Sequence, residues 1–180
     1  MILIMSTCKY ELSKYEFVEP LIKIIENTGQ KCEVINYKNI DSANLEKYDK
    51  IIISGTALKD FDYLKNINNF NFLKDINKPL FGICAGFEII CSIFGCEKKQ
   101  IENIGVFDVE FSENKLTKRQ TQKAYFIHST ESKINTNLFE VLGFLNSKPC
   151  FIKHKTLNIY ATTFHPEVYN EELLFSFLNS

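Results

Sequence analysis

The sequence predicts an α/β fold in which a doubly wound, mainly parallel sheet is flanked by helices. In the first half, apolar runs typical of buried strands alternate with helical patterns, which is the order of parallel βαβ units. In the second half, several strand-like runs are separated by short polar connections, which adds a small antiparallel section to the sheet. We expect a single domain over residues 1–180, because neither a Pro-, Gly- or Ser-rich linker nor an internal repeat divides the chain.

Short apolar runs indicate the strands of the first half, and runs with helical spacing or apolar density indicate the helices between them. The predicted strands are MILIM (1–5), KCEVINY (31–37), DKIIISG (49–55) and KPLFGI (78–83). The predicted helices are YEFVEPLIKIIENTG (15–29), a segment around FDYLKNINNF (61–70) and GFEIICSIFGC (86–96). Gly29 and Gly95 indicate the ends of the first and third helices, because glycine readily adopts the conformation that ends a helix.

The second half contains five strand-like runs and a final helix. The predicted strands are IGVFDVEF (104–111), KAYFIHS (123–129), EVLGFLNS (140–147), PCFIKHK (149–155) and LNIYATTFH (157–165). The last segment, NEELLFSFLNS, predicts a helix that begins near Asn170. In open sheets of this kind, functional sites lie at the carboxyl ends of the strands. Three predicted strands end in segments that could contribute to such a site: IIISG, FGIC and TTFHPE.

Composition and charge narrow the possible functions. The chain has a net charge of −1 and 45% apolar residues, which is ordinary for a globular protein of 180 residues. Such a small net charge creates no field that would attract nucleic acid or an anionic membrane. No apolar run is long enough to span a membrane, and the first apolar run has no basic segment before it, as a signal peptide would. We therefore expect a cytoplasmic protein.

The cysteine pattern argues against a disulfide framework or a metal site. The six cysteines are Cys8, Cys32, Cys84, Cys91, Cys96 and Cys150. None of them forms a C-x-x-C pair, and reduced thiols are the ordinary state in a cytoplasmic protein. Cys91 and Cys96 lie on the apolar helix after Gly86, where we expect them to pack in the core. We predict neither a metal nor an organic cofactor.

The stretch KPLFGICAGFEII places Cys84 between Gly82 and Gly86, where a strand runs directly into a helix. A Gly-x-nucleophile-x-Gly turn is a nucleophile elbow, in which the nucleophile has a strained backbone and the chain packs too closely for flanking side chains. The first turn of the helix points its amide groups at the sulfur, which favours the thiolate. The structural alternative is an inert buried cysteine in a Gly-rich turn.

A thiol nucleophile needs a base, and the base needs a group that orients it. His165 ends an apolar strand, two residues before Glu167. In an extended segment, residues i and i+2 point the same way, so both side chains can approach one place. The pattern thus predicts Cys84 as nucleophile, His165 as base and Glu167 as orienter. A His–Glu pair at a strand end is, alternatively, a surface ion pair.

The motifs PLFGICAG, IIISG and IYATTFHPEV occur in an order that resembles the class I glutamine amidotransferase superfamily. The resemblance covers nearly the whole chain and implies a flavodoxin-like glutaminase fold. It also implies that Cys84 attacks the side-chain amide of glutamine, with His165 as base and Glu167 as its partner. A γ-glutamyl thioester and ammonia form, and water then releases glutamate.

The resemblance further implies an oxyanion hole, made by the backbone amide of Ala85 and by the loop that contains Gly55 and Thr56. Relatives usually carry two glycines in that loop, whereas this chain has Gly55 followed by a β-branched residue. Because β-branched residues rarely adopt a positive φ, we expect a rearranged or incomplete oxyanion hole if Thr56 must do so.

Three further residues are candidates for binding the substrate. Relatives usually carry Gln where this chain has Glu88, and GICAGFE resembles the elbow of the γ-glutamyl hydrolases instead. The Glu88 carboxylate could pair with a substrate ammonium group, or it could simply cap the first turn of the elbow helix. His128 and Ser129 match a loop that borders the glutamine site in relatives. His154 lies in a basic turn, where we expect it to be solvated.

The sequence is compatible with three functions. The first is a glutaminase that supplies ammonia to a separate synthetase, because 180 residues leave no room for an acceptor domain. The second, motivated by Glu88, is a γ-glutamyl hydrolase that acts on γ-linked peptides or conjugates. The third, motivated by Thr56, is a non-catalytic relative that binds a metabolite or a protein.

Overall fold

The structure, a computed structural model, describes residues 1–40 and 42–180, without the side chains of residues 42–44. Within these residues, nine strands form one mixed sheet in the order β2-β1-β3-β4-β9-β8-β7-β5-β6. The strands are β1 (Ile2–Ser6), β2 (Cys32–Asn36), β3 (Lys50–Ile53), β4 (Leu80–Ile83), β5 (Glu97–Phe111), β6 (Gln120–Lys133), β7 (Phe139–Leu145), β8 (Lys148–His154) and β9 (Ile159–Thr162).

The two halves of the sheet differ in strand direction. The pairs from β2 to β9 are all parallel, and the pairs from β9 to β6 are all antiparallel. The predicted combination of a parallel core with an antiparallel section is therefore correct. The antiparallel section is larger than predicted, because β5 and β6 form a hairpin whose strands have 15 and 14 residues and are longer than the predicted strands.

The helices are short. They are α1 (Ser13–Phe17), α2 (Glu19–Asn27), α3 (Asp62–Lys65), α4 (Ala85–Ile93), α5 (Pro166–Tyr169) and α6 (Glu171–Asn179). Three 3₁₀ segments accompany them, at Tyr37–Asn39, Ser42–Lys47 and Ile67–Lys74. The single helix predicted over residues 15–29 is in fact two helices that meet at Val18. Pro20 explains the break, because proline has no amide hydrogen and fits best in the first turn of a new helix.

Alternation along the central strands builds a core on each face of the sheet. Ile2 and Ile4 of β1 pack with α2 and α6 on one face, whereas Leu3 and Met5 pack with α4 and the 67–74 segment on the other. All four side chains are fully buried. Because β1 is buried on both faces, MILIM does not alternate between polar and apolar residues. Among the described residues, no helix has both the length and the apolar character needed to span a membrane.

Lys50 ties the last helix to the sheet. Its ammonium group donates to Phe177 O at 2.7 Å, Leu178 O at 2.9 Å and Ser180 O at 2.6 Å. These carbonyls lie at the C-terminal end of α6, where a cation is favoured by the helix dipole. Burial lowers the pKa of the Lys50 ammonium.

We expect Lys50→Met to lower the free energy of unfolding by about 1.5–3 kcal/mol, because three charge-assisted hydrogen bonds are lost while the side-chain bulk is kept. Chemical denaturation of both proteins measures this difference. Lys47→Met is the matched control, since Lys47 forms an exposed ion pair with Glu33, worth about 0–1 kcal/mol, and a cation–π contact with Tyr48, but within the described residues no hydrogen bond to α6. Equal losses in the two variants would contradict the role given to Lys50.

Candidate active site

Cys84 lies at the sharp turn between β4 and α4. Its backbone has φ 50° and ψ −95°, and it is one of three non-glycine residues with positive φ among those described. Its amide donates to Thr162 O at 2.8 Å, which fixes the turn beside the end of β9. The thiol donates to Ile127 O with Sγ and oxygen 3.5 Å apart. A cysteine held in this strained conformation is typical of a nucleophile elbow.

The glycines of the elbow are needed because other atoms approach too closely for side chains. A Cβ on Gly82 would lie 2.8 Å from the Gly86 carbonyl carbon, and one on Gly86 would lie 2.7 Å from Ile53 O. Neither distance is compatible with a side chain while the backbone stays in place. The predicted reason for the Gly-x-Cys-x-Gly pattern is thus correct.

The imidazole of His165 is paired with Glu167. His165 Nδ1 lies 2.8 Å from Glu167 Oε1, and both side chains are buried, so this is not a surface ion pair. The contact was predicted, but its geometric reason was wrong. Pro166 begins α5, so Glu167 reaches back from the first turn of a helix rather than from an extended strand.

The surroundings of His165 favour its protonated form. Burial lowers the pKa of His165, but the negative charge of Glu167, together with the charge and hydrogen bonding of Cys84, outweighs this effect. The pKa of His165 therefore lies well above its ordinary value. Nε2 makes no well-aligned hydrogen bond within the described residues, so it is free to exchange a proton with the neighbouring thiol.

Gly55 makes room for this imidazole. A Cβ on Gly55 would lie 2.6 Å from His165 Cε1 and 3.3 Å from the ring of Phe17. Phe17 also packs on the imidazole, with ring centroids 5.5 Å apart. Gly55 does not have a positive φ, so space rather than backbone conformation requires glycine here.

We expect Gly55→Ala to lower kcat for the proposed glutamine hydrolysis by about 10²-fold, because the methyl group displaces the imidazole from the thiol. Steady-state kinetics and the rate of Cys84 alkylation measure the effect. Thermal unfolding of the same variant separates displacement of the ring from general destabilisation. Wild-type kinetics in a folded Gly55→Ala protein would contradict the close packing described here.

Of the three residues predicted for the oxyanion hole, Thr56 and Ala85 line the small cavity beside Cys84, whereas Gly55 is not among its lining residues. Ala85 is the first residue of α4, and Thr56 lines the same small cavity as the cysteine. Neither amide has a hydrogen-bond acceptor within the described part of the chain. Thr56 has no positive φ, so the steric objection to a β-branched residue at this position does not apply.

Asp60 organises the loop that carries Thr56, and nothing in the sequence pattern singled it out. Its Oδ2 accepts from Thr56 Oγ1 at 2.9 Å and from Lys9 N at 2.8 Å. Its Oδ1 accepts from Asp62 N at 3.2 Å. Asp60 therefore connects the loop after β3 with the loop after β1. The sequence does show an aspartate before a short helix, but no local pattern indicates its long-range contact with Lys9.

Glu88 is held by other side chains rather than by the helix end. Oε2 accepts from Tyr63 Oη at 2.7 Å, and Oε1 accepts from Thr130 Oγ1. The ammonium of Lys98 lies 3.9 Å from Oε2. Burial and the negative charge of Glu88 raise the pKa of Tyr63. Glu88 does lie in the first turn of α4, as the capping alternative expects, but both carboxylate oxygens bind side chains from other elements.

His128 and Ser129 line the cavity beside Cys84, as does Glu88. His128 Nδ1 lies 2.8 Å from Thr130 O, so Nδ1 carries the proton and donates it to this carbonyl. Burial lowers the pKa of His128, which favours the neutral ring. The cavity has a volume of about 10 Å³, so it holds no more than a water molecule in this conformation.

His154 is far less exposed than its basic neighbours suggested. Only 5% of it is accessible, and its ring packs against Phe94 and Phe139 with centroid distances of 4.7 and 5.1 Å. Its Nδ1 accepts from Leu157 N at 3.1 Å. The expectation of a solvated histidine was wrong, because strand pairing turns this residue toward the core. Among the described residues, no cluster of three or more His, Cys, Asp or Glu could hold a metal ion.

Comparison with known proteins identifies the family of this chain. The family model for class-I glutamine amidotransferases matches residues 13–178. The chain belongs to the class-I glutamine amidotransferase family. The resemblance inferred from the motifs is thereby confirmed.

Two relatives illustrate the range within this family. The glutamine-hydrolyzing GMP synthase subunit of Methanosphaera stadtmanae is 31% identical over 166 residues, covering 82% of this chain and 88% of that protein. The HisH subunit of imidazole glycerol phosphate synthase from Bacteroides thetaiotaomicron is 26% identical, covering 71% and 76% of the two chains. The similarity therefore spans most of both proteins in each case.

Solved structures share the fold. A GMP synthase subunit of Thermoplasma acidophilum superposes with a TM-score of 0.87 at 21% identity, covering 99% of this chain and 92% of that one. A glutamine amidotransferase of Thermotoga maritima superposes with a TM-score of 0.71 at 15% identity, covering 92% and 76%. The α/β fold with a mixed sheet is thus confirmed for this chain.

Proposed function

We propose that this chain is a glutaminase that hydrolyses the side-chain amide of glutamine and supplies ammonia to a separate synthetase. The observation that carries the proposal is the elbow cysteine beside a buried His165–Glu167 pair. A thiol, a base with a raised pKa and a carboxylate partner are the groups that amide cleavage through a thioester requires. Family membership supports the same chemistry.

The first half of the proposed reaction forms the thioester. The Cys84 thiol gives its proton to His165 Nε2, and Sγ attacks the amide carbon of glutamine. Glu167 stabilises the imidazolium through Nδ1. The amides of Thr56 and Ala85 are the proposed donors to the oxyanion. Collapse of this intermediate breaks the C–N bond, and His165 returns the proton to the leaving ammonia.

The second half of the reaction releases glutamate. A water molecule gives a proton to His165 Nε2 and attacks the thioester carbon. The C–S bond then breaks, and His165 returns the proton to the sulfur of Cys84. The same base and the same oxyanion donors therefore serve both halves, as microscopic reversibility leads one to expect.

The size of the cavity suggests how the activity is controlled. About 10 Å³ beside Cys84 is too small for glutamine, so the surrounding loops must move before the substrate binds. Docking of a synthetase is the proposed trigger, and the chain alone should have low activity. The names of relatives such as the GMP synthase subunit of Methanosphaera stadtmanae favour a GMP-forming synthetase as the first candidate.

Glutamate release from glutamine tests the proposal, measured for the chain alone and with candidate synthetases. We expect slow release alone and a strong increase with the correct partner. A folded protein that releases no glutamate in any pairing would contradict the function. Labelling of Cys84 by an electrophilic glutamine analogue, with loss of labelling in His165→Ala, would count against the non-catalytic alternative.

The γ-glutamyl hydrolase alternative gains no support from Glu88. Its two oxygens bind Tyr63 and Thr130, so the carboxylate has a structural environment of its own. Turnover of glutamine compared with that of a γ-glutamyl dipeptide distinguishes the two reactions. Preference for the dipeptide in the wild-type protein would favour the hydrolase.

A further inference from the structure

The peptide group between Gly55 and Thr56 is held from one side by two hydroxyl groups. Thr7 Oγ1 lies 3.0 Å from Gly55 O and also 3.0 Å from Ser54 O, so its proton is shared between these carbonyls. Ser54 Oγ donates to Gly55 O at 2.8 Å and accepts from Thr7 N at 3.2 Å. Thr7 and Ser54 are fully buried, so water does not compete for these bonds.

These contacts determine where the amide hydrogen of Thr56 points. In a trans peptide, the carbonyl and the amide hydrogen lie on opposite sides of the chain. Because Gly55 O points toward Thr7, the Thr56 N–H points away from Thr7. Thr56 lines a small cavity together with Cys84 and Ala85, and its amide has no acceptor within the described residues.

We propose that Thr7, assisted by Ser54, is a positioning residue that locks the Gly55–Thr56 peptide with its amide hydrogen directed at the oxyanion. The inference rests on the proposed function. It assigns the orientation of one oxyanion donor to Thr7, which directly follows β1. If the peptide rotated, the carbonyl oxygen would face the developing negative charge instead of the donor. Loss of one oxyanion donor lowers kcat by about 10²–10³-fold in other amide-cleaving enzymes.

The side chain of Thr56 cannot replace this lock. Its Oγ1 donates to Asp60. This hydrogen bond holds the Thr56 side chain, but it does not restrain the peptide group between Gly55 and Thr56. Cys8 Sγ contributes only a weak contact to Gly55 O, at 3.8 Å. The two hydroxyls on Gly55 O are therefore the strong restraints on this peptide group.

Thr7→Val tests the proposal, because valine has nearly the same shape but no hydroxyl. We expect kcat for glutamine hydrolysis to fall by about 10²-fold with KM almost unchanged, since the donor acts mainly on the transition state. Alkylation of Cys84 by iodoacetamide should keep its wild-type rate, because that reaction needs no oxyanion hole. Thr7→Ser should restore activity, and Ser54→Ala should lower kcat in the same way as Thr7→Val.

Thr28→Val is the matched control. It removes a hydroxyl that donates to Ile25 O at 2.6 Å at the C-terminal end of α2 rather than in the loop beside Cys84, and should leave kcat unchanged. Wild-type kcat in Thr7→Val would overturn the proposal. So would an equal loss of kcat and of Cys84 alkylation, because that result would mean disturbance of the nucleophile itself.

Crystal structures of the wild type, Thr7→Val and Ser54→Ala separate this inference from the proposed function. We expect the Gly55–Thr56 peptide to lose its single orientation in both variants. An unchanged orientation in both would overturn the lock, whatever the activity. If instead the wild type releases no glutamate with any synthetase while the variants show a rotated peptide, the proposed function fails and the lock stands.

Discussion

Replacing Cys84 with alanine is expected to lower kcat for glutamine hydrolysis by at least about 10⁴-fold, because the sulfur that forms the proposed thioester is removed. Intact-protein mass spectrometry after brief incubation with glutamine should detect a γ-glutamyl adduct on the wild-type chain. The same measurement on Cys84→Ala should detect none. Glutamate release, with and without a synthetase, quantifies the loss.

Cys32→Ala is the control for this experiment, since Cys32 lies on β2 at the far edge of the sheet and is only partly buried. It should retain wild-type activity and the adduct. Activity of Cys84→Ala within about tenfold of the wild type would remove the cysteine from the reaction and, with it, the proposed mechanism.

Replacing His165 with asparagine is expected to lower kcat by about 10³–10⁴-fold, because the thiol loses its proton acceptor and the leaving ammonia its donor. The reactivity of Cys84 toward iodoacetamide provides a second measurement. The raised pKa of His165 makes its imidazole a better acceptor for the proton of the thiol.

The pH dependence of the alkylation rate shows whether His165 accepts the proton from Cys84. In the wild type, the rate near pH 7 should depend only weakly on pH, because His165 Nε2 accepts the proton from sulfur as the thiol reacts. In His165→Asn, the rate should be lower near pH 7 and should rise as pH rises, since only hydroxide or buffer can remove the proton. Identical profiles for a folded variant and the wild type would contradict the contact between Cys84 and His165.

Much of the site could be predicted because its signals are local. The Gly-x-Cys-x-Gly pattern implies a tight strand–helix turn, and the strained Cys84 backbone at this turn follows from the same five residues. His165 and Glu167 are two residues apart, so a contact between them needs no knowledge of the fold. Their side chains meet through the first turn of α5 rather than along a strand.

Other parts of the site depend on partners that are distant in sequence. Thr7 and Gly55 lie 48 residues apart, and Glu88 and Thr130 lie 42 residues apart. No local pattern indicates that such residues meet, because strand order and register determine which loops become neighbours. His154 is a similar case, since its burial follows from the pairing of β8 with β7.

The buried strands, the elbow at Cys84 and the His165–Glu167 pair can be read from short segments, because hydrophobic period, glycine spacing and near neighbours are local properties. Three contacts became visible only in the folded chain: Gly55 against the imidazole, Glu88 with Tyr63 and Thr130, and Thr7 with the Gly55 carbonyl. The physical reason is that these contacts form where parallel strands end side by side, and their order in the sheet is not their order in the chain.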